Sequence, residues 1–405
     1  MARTMVSTGS EPDHVPFLRG ILTQSLCKAG LSFEDAYAMA DLVKAELKDV
    51  AEISSDQLRD RVAEKLVAQY GKERLGVYLT NPTAEADVIV HWPARSEAFS
   101  VGVLTRSLEA CCIERWVASA AIQAVQEELR GAGTREINYK KLLRLIYESL
   151  RDNASPKLAN RYLSWQRFVN SGDPMILLLG GITGSGKSTI STELSYRLDI
   201  PRTQSTDMIR EIIRSYITLE VAPTLQYSTF EAWRGLPNLE SGTSGSRARS
   251  LLFRKGEGRV VTGFLTQFNV VKPALDAALA RAAQEREHLI LEGVHVVPTE
   301  LDLERAAETG VVLPVMIAMT NKKTLRARFE RRGREQSERG AQRYLDHLDE
   351  IWELQSYLLS AADSANIPII QNDHMEDTIQ ELLEILSRLV VKRYPAKPDE
   401  MDWGA

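Results

Sequence analysis

Through the first 170 positions, apolar residues recur every three or four places, the spacing that gives a helix one buried stripe, and the pattern runs twice in the same order. Phe17, Leu22, Thr23, Ser25 and Leu26 are matched at constant offset by Phe99, Leu104, Thr105, Ser107 and Leu108. Ala36, Ala38, Glu46 and Leu47 then meet Ala118, Ala120, Glu128 and Leu129. After a two-residue insertion in the second copy, Ile53, Leu58, Leu66, Tyr78 and Leu79 align with Ile137, Leu142, Leu150, Tyr162 and Leu163. Breaks at Gly30, around 49–55, at Gly71 and around 131–133 divide each copy into three or four helices. From about residue 173 the pattern changes. Short β-favouring runs at 175–179, 202–205, 288–291, 312–319 and 368–371 alternate with helical stretches. That order predicts an α/β domain, a parallel sheet wrapped by helices, with ligands gathering at the carboxyl ends of its strands.

Length and charge narrow the picture. A chain of 405 residues, 44% hydrophobic, has room for two or three domains. The pattern divides it into helical repeats over 1–84 and 85–170, the α/β domain over 171–394 and a tail over 395–405. A formal net charge of −5 and a pI near 5.9 argue against a protein that coats nucleic acid, while leaving room for a local basic patch that grips a small anion. Cys27, Cys111 and Cys112 all stand in apolar helical contexts, so neither a disulfide framework nor a metal cluster is implied. The polar start lacks a signal core and no apolar run is long enough to cross a bilayer, so a cytoplasmic location without a membrane partner is expected.

Five segments of the second half carry chemistry. Gly181-Ile182-Thr183-Gly184-Ser185-Gly186-Lys187-Ser188-Thr189 is a complete phosphate-binding loop between an apolar run and an amphipathic stretch. Its glycines let backbone N–H groups close around a β-phosphate, Lys187 can reach the β- and γ-oxygens, and the Ser188 hydroxyl can hold Mg²⁺. A nucleoside triphosphate is the expected ligand. Just past the second strand, Asp207 can orient Mg²⁺ or accept the proton of an attacking hydroxyl, and Arg210, one helical turn on, can hold an anionic group of the acceptor. Taken alone, the same pair could be a helix cap and an exposed arginine. The run from Leu289 to His295 is an apolar strand ending in an acid: Glu292 would hold Mg²⁺ directly or through water, and Gly293 would let the backbone turn so that His295 meets an anionic substrate. A histidine at a strand end can equally be structural.

The basic stretch from 321 to 343, with Arg328 and Arg332 at its centre, follows a core strand, where a mobile lid can neutralise charge on a transferring phosphoryl group. Its plain alternative is a solvated basic helix. Between the second strand and Glu292, the segment 216–267 combines a Gly/Ser-rich stretch with Arg247, Arg249, Arg254 and Lys255, which suits recognition of a multiply charged acceptor.

Two resemblances attach to these residues. Each N-terminal copy resembles the ATP-cone, a small nucleotide-sensing helical domain; in the second copy the apolar start Val88-Ile89-Val90, Glu97 and Phe99 carry the resemblance. His91 and Trp92 stand where such domains carry a Lys-Arg pair. The repeats are either a regulatory ligand site or a packing module through which the chain forms a homo-oligomer. The second half resembles archaeal-type 2-phosphoglycerate kinase, a P-loop kinase. The resemblance is carried by the phosphate loop, by Ser205-Thr206-Asp207-Met208-Ile209-Arg210-Glu211, by Leu291-Glu292-Gly293-Val294-His295, and by Arg343-Tyr344 with Gln355-Ser356-Tyr357-Leu358. It implies transfer of the γ-phosphoryl of ATP, with Mg²⁺, to 2-phosphoglycerate. Lys187 and the 184–189 backbone would hold ATP, Ser188 and Glu292 the metal; Asp207 would orient or deprotonate the acceptor. Arg210, His295 and some of Arg214, Arg247 and Arg254 would take the acceptor's anionic groups, while Arg328 and Arg332 close over the transferring group. A kinase of another small anionic metabolite and a nucleotide-gated regulatory ATPase are the alternatives.

Overall fold

The repeat of the first half is carried into the backbone. A computed structural model of the chain describes residues 4–7, 14–28, 31, 33–70, 88–93, 95–237, 258–335 and 338–401. The first copy is a hairpin of β1 (Met5–Ser7) and β2 (His14–Pro16), then α1 (Arg19–Lys28), α2 (Phe33–Glu46), β3 (Glu52–Ser54) and α3 (Ser55–Tyr70), with β3 parallel to β1. The second copy repeats that order in β4 (Ile89–His91), β5 (Ser96–Ala98), α4 (Val101–Ala110), α5 (Arg115–Gly131), β6 (Glu136–Asn138) and α6 (Tyr139–Asn153), and adds α7 (Pro156–Ser171). Aligned residues take equivalent places. Ile53 lies opposite Val6 and Ile137 opposite Val90, and Leu22, Leu26 and Ala36 are buried as Leu104, Leu108 and Ala118 are. Tyr78 and Leu79 lie outside the described residues.

Side-chain caps start α6 and α7. Asn138 accepts the N–H of Lys140 at 2.9 Å, and Ser155 accepts that of Leu158 at 3.2 Å with Pro156 in the first helical turn, where its missing N–H costs nothing.

The five expected strands of the second half are all present, with slightly shifted ends: β7 (Met175–Gly180), β8 (Thr203–Ser205), β9 (Leu289–Gly293), β10 (Val311–Ala318) and β11 (Ile369–Gln371). They form one parallel sheet in the order β11-β10-β7-β9-β8. Along β7, Ile176 and Leu178 enter one core while Met175, Leu177 and Leu179 enter the other, which is why this strand reads as an uninterrupted apolar run. Helices α8 (Lys187–Leu198) and α15 (Met375–Arg393) cover one face; α10 (Arg259–Glu285) and α14 (Leu348–Ser364) cover the other. The remaining helices are α9 (Thr206–Tyr216), α11 (Glu304–Thr309), α12 (Lys322–Glu335) and α13 (Glu338–Asp346). No described helix is long and apolar enough to cross a membrane.

The chain separates into Met1–Asp87 and Val88–Ala405. The first unit has its own core around Leu26, Met39, Val62 and Leu66. The division expected at residue 170 is a change of element type within one body. Leu163, Trp165 and Phe168 of α7 share a core with Leu313 of β10 and Val390 of α15, and the Phe168 ring lies 5.3 Å from Tyr394. The described start of the expected tail is likewise tied down: Ala396 is buried, and Arg167 donates to the Pro395 carbonyl at 2.6 Å.

Candidate active site

The phosphate loop leaves β7 and runs into α8. Gly184 and Gly186 have φ of +84° and +93°, a region that L side chains rarely adopt. Space forbids side chains there as well, since a Cβ would stand 2.6 Å from the Phe329 ring at Gly184 and 2.3 Å from Asn372 Nδ2 at Gly186. The loop therefore wraps the N-terminus of α8, where unsatisfied N–H groups collect.

Lys187 is only 7% exposed and donates from Nζ to the Ile182 carbonyl at 3.2 Å. Burial lowers its pKa, and the negative charges of Glu292 and Asp207 oppose that shift. At the end of β9, Glu292 accepts the Ser188 hydroxyl at 3.1 Å. Two hard oxygen donors thus lie side by side beside the loop, the ligand type Mg²⁺ selects when phosphate oxygens and waters complete its shell. Among the described residues no group of three or more His, Cys, Asp or Glu could hold a metal ion.

Beside the loop is a cleft of about 370 Å³ whose lining includes Thr183, Asp207, Arg210, Phe230 and Tyr344. Asp207 stands in the first turn of α9. Arg210 is buried in its wall. Nη1 donates to the carbonyls of Leu225 (3.1 Å) and Tyr227 (3.0 Å), and Nη2 pairs with Glu211 at 2.5 Å. Gln267 clamps the same turn, donating to the carbonyls of Thr224 at 2.6 Å and Tyr227 at 3.0 Å. Because its amide nitrogen is so used, its Oε1 accepts from His295 Nε2 at 2.9 Å, which leaves His295 Nδ1 as the unprotonated nitrogen.

That arrangement corrects the expectation for His295. The imidazole is 0% exposed, burial pushes its pKa from 6.5 to about 4 so that it is neutral, and it is not among the residues lining the cleft. Arg214 also differs from expectation. It is exposed, pairs with Glu211 at 2.5 Å and is not among the residues lining the cleft. Arg247 and Arg254 lie outside the described residues.

Helix α12 lies on the phosphate loop. Arg328 donates to the carbonyls of Gly184 (3.4 Å), Ser185 (3.3 Å) and Asn372 (2.6 Å), so its guanidinium braces the loop's backbone. Arg332 sits 5.8 Å over the Tyr344 ring, and its charge contributes to lowering the pKa of Lys187. Gln267 and Asn372 also belong to this site, although neither lies in a motif of the sequence. Asn372 donates to the Ser185 carbonyl at 2.7 Å and accepts from Thr378 at 3.2 Å. Its signal was its place, one residue past a strand's carboxyl end; Gln267, in the middle of a long helix, had none.

Strand, phosphate loop and helix, an acid at the end of the neighbouring strand and a basic helix laid on the loop together define a P-loop phosphotransferase. No family model matches the chain. It is 38% identical over 296 residues to the 2-phosphoglycerate kinase of Pyrococcus furiosus, covering 73% of this chain and 91% of that one. To the 2-phosphoglycerate kinase of Methanopyrus kandleri it is 31% identical over 355 residues, covering 87% of this chain and 100% of that one. The chain belongs to the 2-phosphoglycerate kinase family. Among solved structures, shikimate kinase from Bacteroides thetaiotaomicron aligns with 98% of its own length and 53% of this chain at 18% identity and a TM-score of 0.24.

Proposed function

We propose that this protein transfers the γ-phosphoryl group of ATP to the free hydroxyl of 2-phosphoglycerate, giving 2,3-bisphosphoglycerate and ADP in the cytoplasm. The observation that carries the reading is the meeting of the Lys187–Ser188–Glu292 cradle with a cleft holding Asp207 and Arg210, in a chain that covers nearly the whole length of curated 2-phosphoglycerate kinases.

Lys187 and the backbone of 184–189 hold the β- and γ-phosphates. Ser188 and Glu292 hold Mg²⁺, which when bound neutralises charge on the phosphate oxygens. Asp207 orients the acceptor hydroxyl and takes its proton as the new P–O bond forms. Arg210 supplies positive charge at the cleft wall for the acceptor's phosphate or carboxylate, and its donors to the 225–227 carbonyls keep that wall in place. Arg332 adds positive charge near Lys187, where negative charge spreads during transfer. Arg328 acts through the loop it braces.

The test is ADP release by the full chain in the presence of ATP and Mg²⁺. Release should depend on 2-phosphoglycerate and yield one bisphosphoglycerate per ADP. Release stimulated by another phosphorylated hydroxy acid and not by this one would change the acceptor. Release independent of any acceptor would mean a nucleotide-gated ATPase.

A further inference from the structure

Between α7 and α15, and sharing no lining residue with the cleft, is a second cavity, about 770 Å³, bounded by one face of each helix and by the chain after Tyr394. Its α7 side carries Lys157, Arg161 and Arg167; its other side carries Arg388, Lys392 and Lys397. Against these six cations stands a single carboxylate, Glu400, in a chain whose acids outnumber its bases, 55 to 50. Three of the cations have partners: Arg161 donates to the Cys112 carbonyl at 3.0 Å, Arg167 to the Pro395 carbonyl at 2.6 Å and to Glu400 at 3.3 Å, and Arg388 lies 3.8 Å from Glu384. For Lys157, Lys392 and Lys397 no ion pair is found among the described residues.

Gathering like charges around one cavity is unfavourable unless something of opposite charge occupies it. A second observation points the same way. Ser387 lines the cavity, is 1% exposed, and its hydroxyl has no hydrogen-bond partner. An unpaired buried hydroxyl is uncommon because it forfeits its bonds to water. Val391, Pro395 and Ala396 supply an apolar floor. The volume falls in the usual range for small-molecule sites.

We propose that this cavity is a second anion site, separate from the phosphate loop, that takes a small molecule carrying two or more linked phosphate groups. Lysine ammonium groups on both sides neutralise the phosphates, Arg161 and Arg167 stand with Lys157 on the α7 side, and the Ser387 hydroxyl donates to an oxygen of the ligand. The apolar floor accepts an organic portion where there is one.

Calorimetric titration of the full chain with inorganic tripolyphosphate tests this. The wild-type protein should show two binding events, of which Lys187→Ala removes one and the double variant Lys157→Ala/Lys392→Ala weakens the other at least tenfold. The double variant should keep wild-type kcat and KM for ATP, since neither lysine lies in the catalytic cleft. Ser387→Ala, which adds no charge change, should weaken the same event several-fold and raise the melting temperature of the ligand-free protein. ATP binding the second site tenfold more tightly than tripolyphosphate assigns the floor to a nucleoside; equal affinity assigns the site to the phosphates alone, and both support the proposal. A single event that Lys187→Ala abolishes overturns it, as does unchanged second-site affinity in the double lysine variant. Sedimentation with anionic phospholipid vesicles, without a second tripolyphosphate event, also overturns it.

Discussion

Asp207 and His295 are both ionisable groups near the phosphate loop, and burial assigns them different work. Asp207 opens onto the cleft, whereas His295 is sealed beneath it against Phe264 and Gln267. Asp207→Asn keeps the shape of the side chain and removes its capacity to take a proton. Steady-state kinetics should therefore show kcat falling by about a hundredfold or more with KM for ATP little changed. A rise in acceptor KM with kcat intact would make Asp207 a binding residue. For His295 the readout is stability. Its folded pKa of about 4 lies below the ordinary 6.5, so the unfolded chain takes up the proton first as pH drops. The stability it contributes is complete above pH 6.5 and is lost progressively toward pH 4, on the scale of about 3 kcal/mol. His295→Gln can still donate to Gln267 and does not titrate. Denaturant melts at pH 7, 5.5 and 4.5 should show a shallower acid loss in the variant than in the wild type.

At the scale of elements, the phosphate loop is held from three sides: α8 begins at its end, α12 reaches it through Arg328, and the β11–α15 junction reaches it through Asn372. Arg328 and Asn372 meet on the same carbonyl, that of Ser185, and Arg328 also binds the Asn372 carbonyl. A lid arginine would leave this position on opening; a brace would not. Asn372→Ala removes a buried amide that serves Ser185 and Thr378, at a cost of about 1–3 kcal/mol in stability. The loosened loop should raise KM for ATP by roughly tenfold while the acceptor KM moves less. Thermal melting together with initial rates checks both. An unchanged ATP KM would show that α12 alone is sufficient to hold the loop.

For the whole molecule, the second helical copy is part of the kinase body, because Trp165 and Phe168 of α7 belong to the same buried core as β10 and α15, and the Phe168 ring packs on Tyr394. A chain beginning at residue 171 would uncover these core partners, each large side chain worth about 1.5–3 kcal/mol of burial. Such a chain should be insoluble or inactive. One beginning at Val88 should fold and transfer phosphoryl groups at near the wild-type rate, since the first unit has a core of its own. Expression, circular dichroism and the ADP-release assay on the two truncations decide the point, and full activity from residue 171 onward would show that the shared core is dispensable.

Local chemistry was legible in the chain itself wherever function depends on neighbours in sequence. The glycines and Lys187 of the phosphate loop, the acid closing β9 and the five strands all follow from short-range spacing and from apolar runs buried on both faces. The repeat was legible for the same reason: two copies with one pattern must bury the same stripe. Folding decided what depends on distance in sequence. It sealed His295 behind Gln267, turned Arg328 onto loop carbonyls 144 residues away, and brought Asn372 across 187 residues to Ser185. It also joined the second repeat to the sheet and set the basic face of α7 against that of α15. Periodicity says which face of a helix is apolar or charged, but only packing says what that face meets.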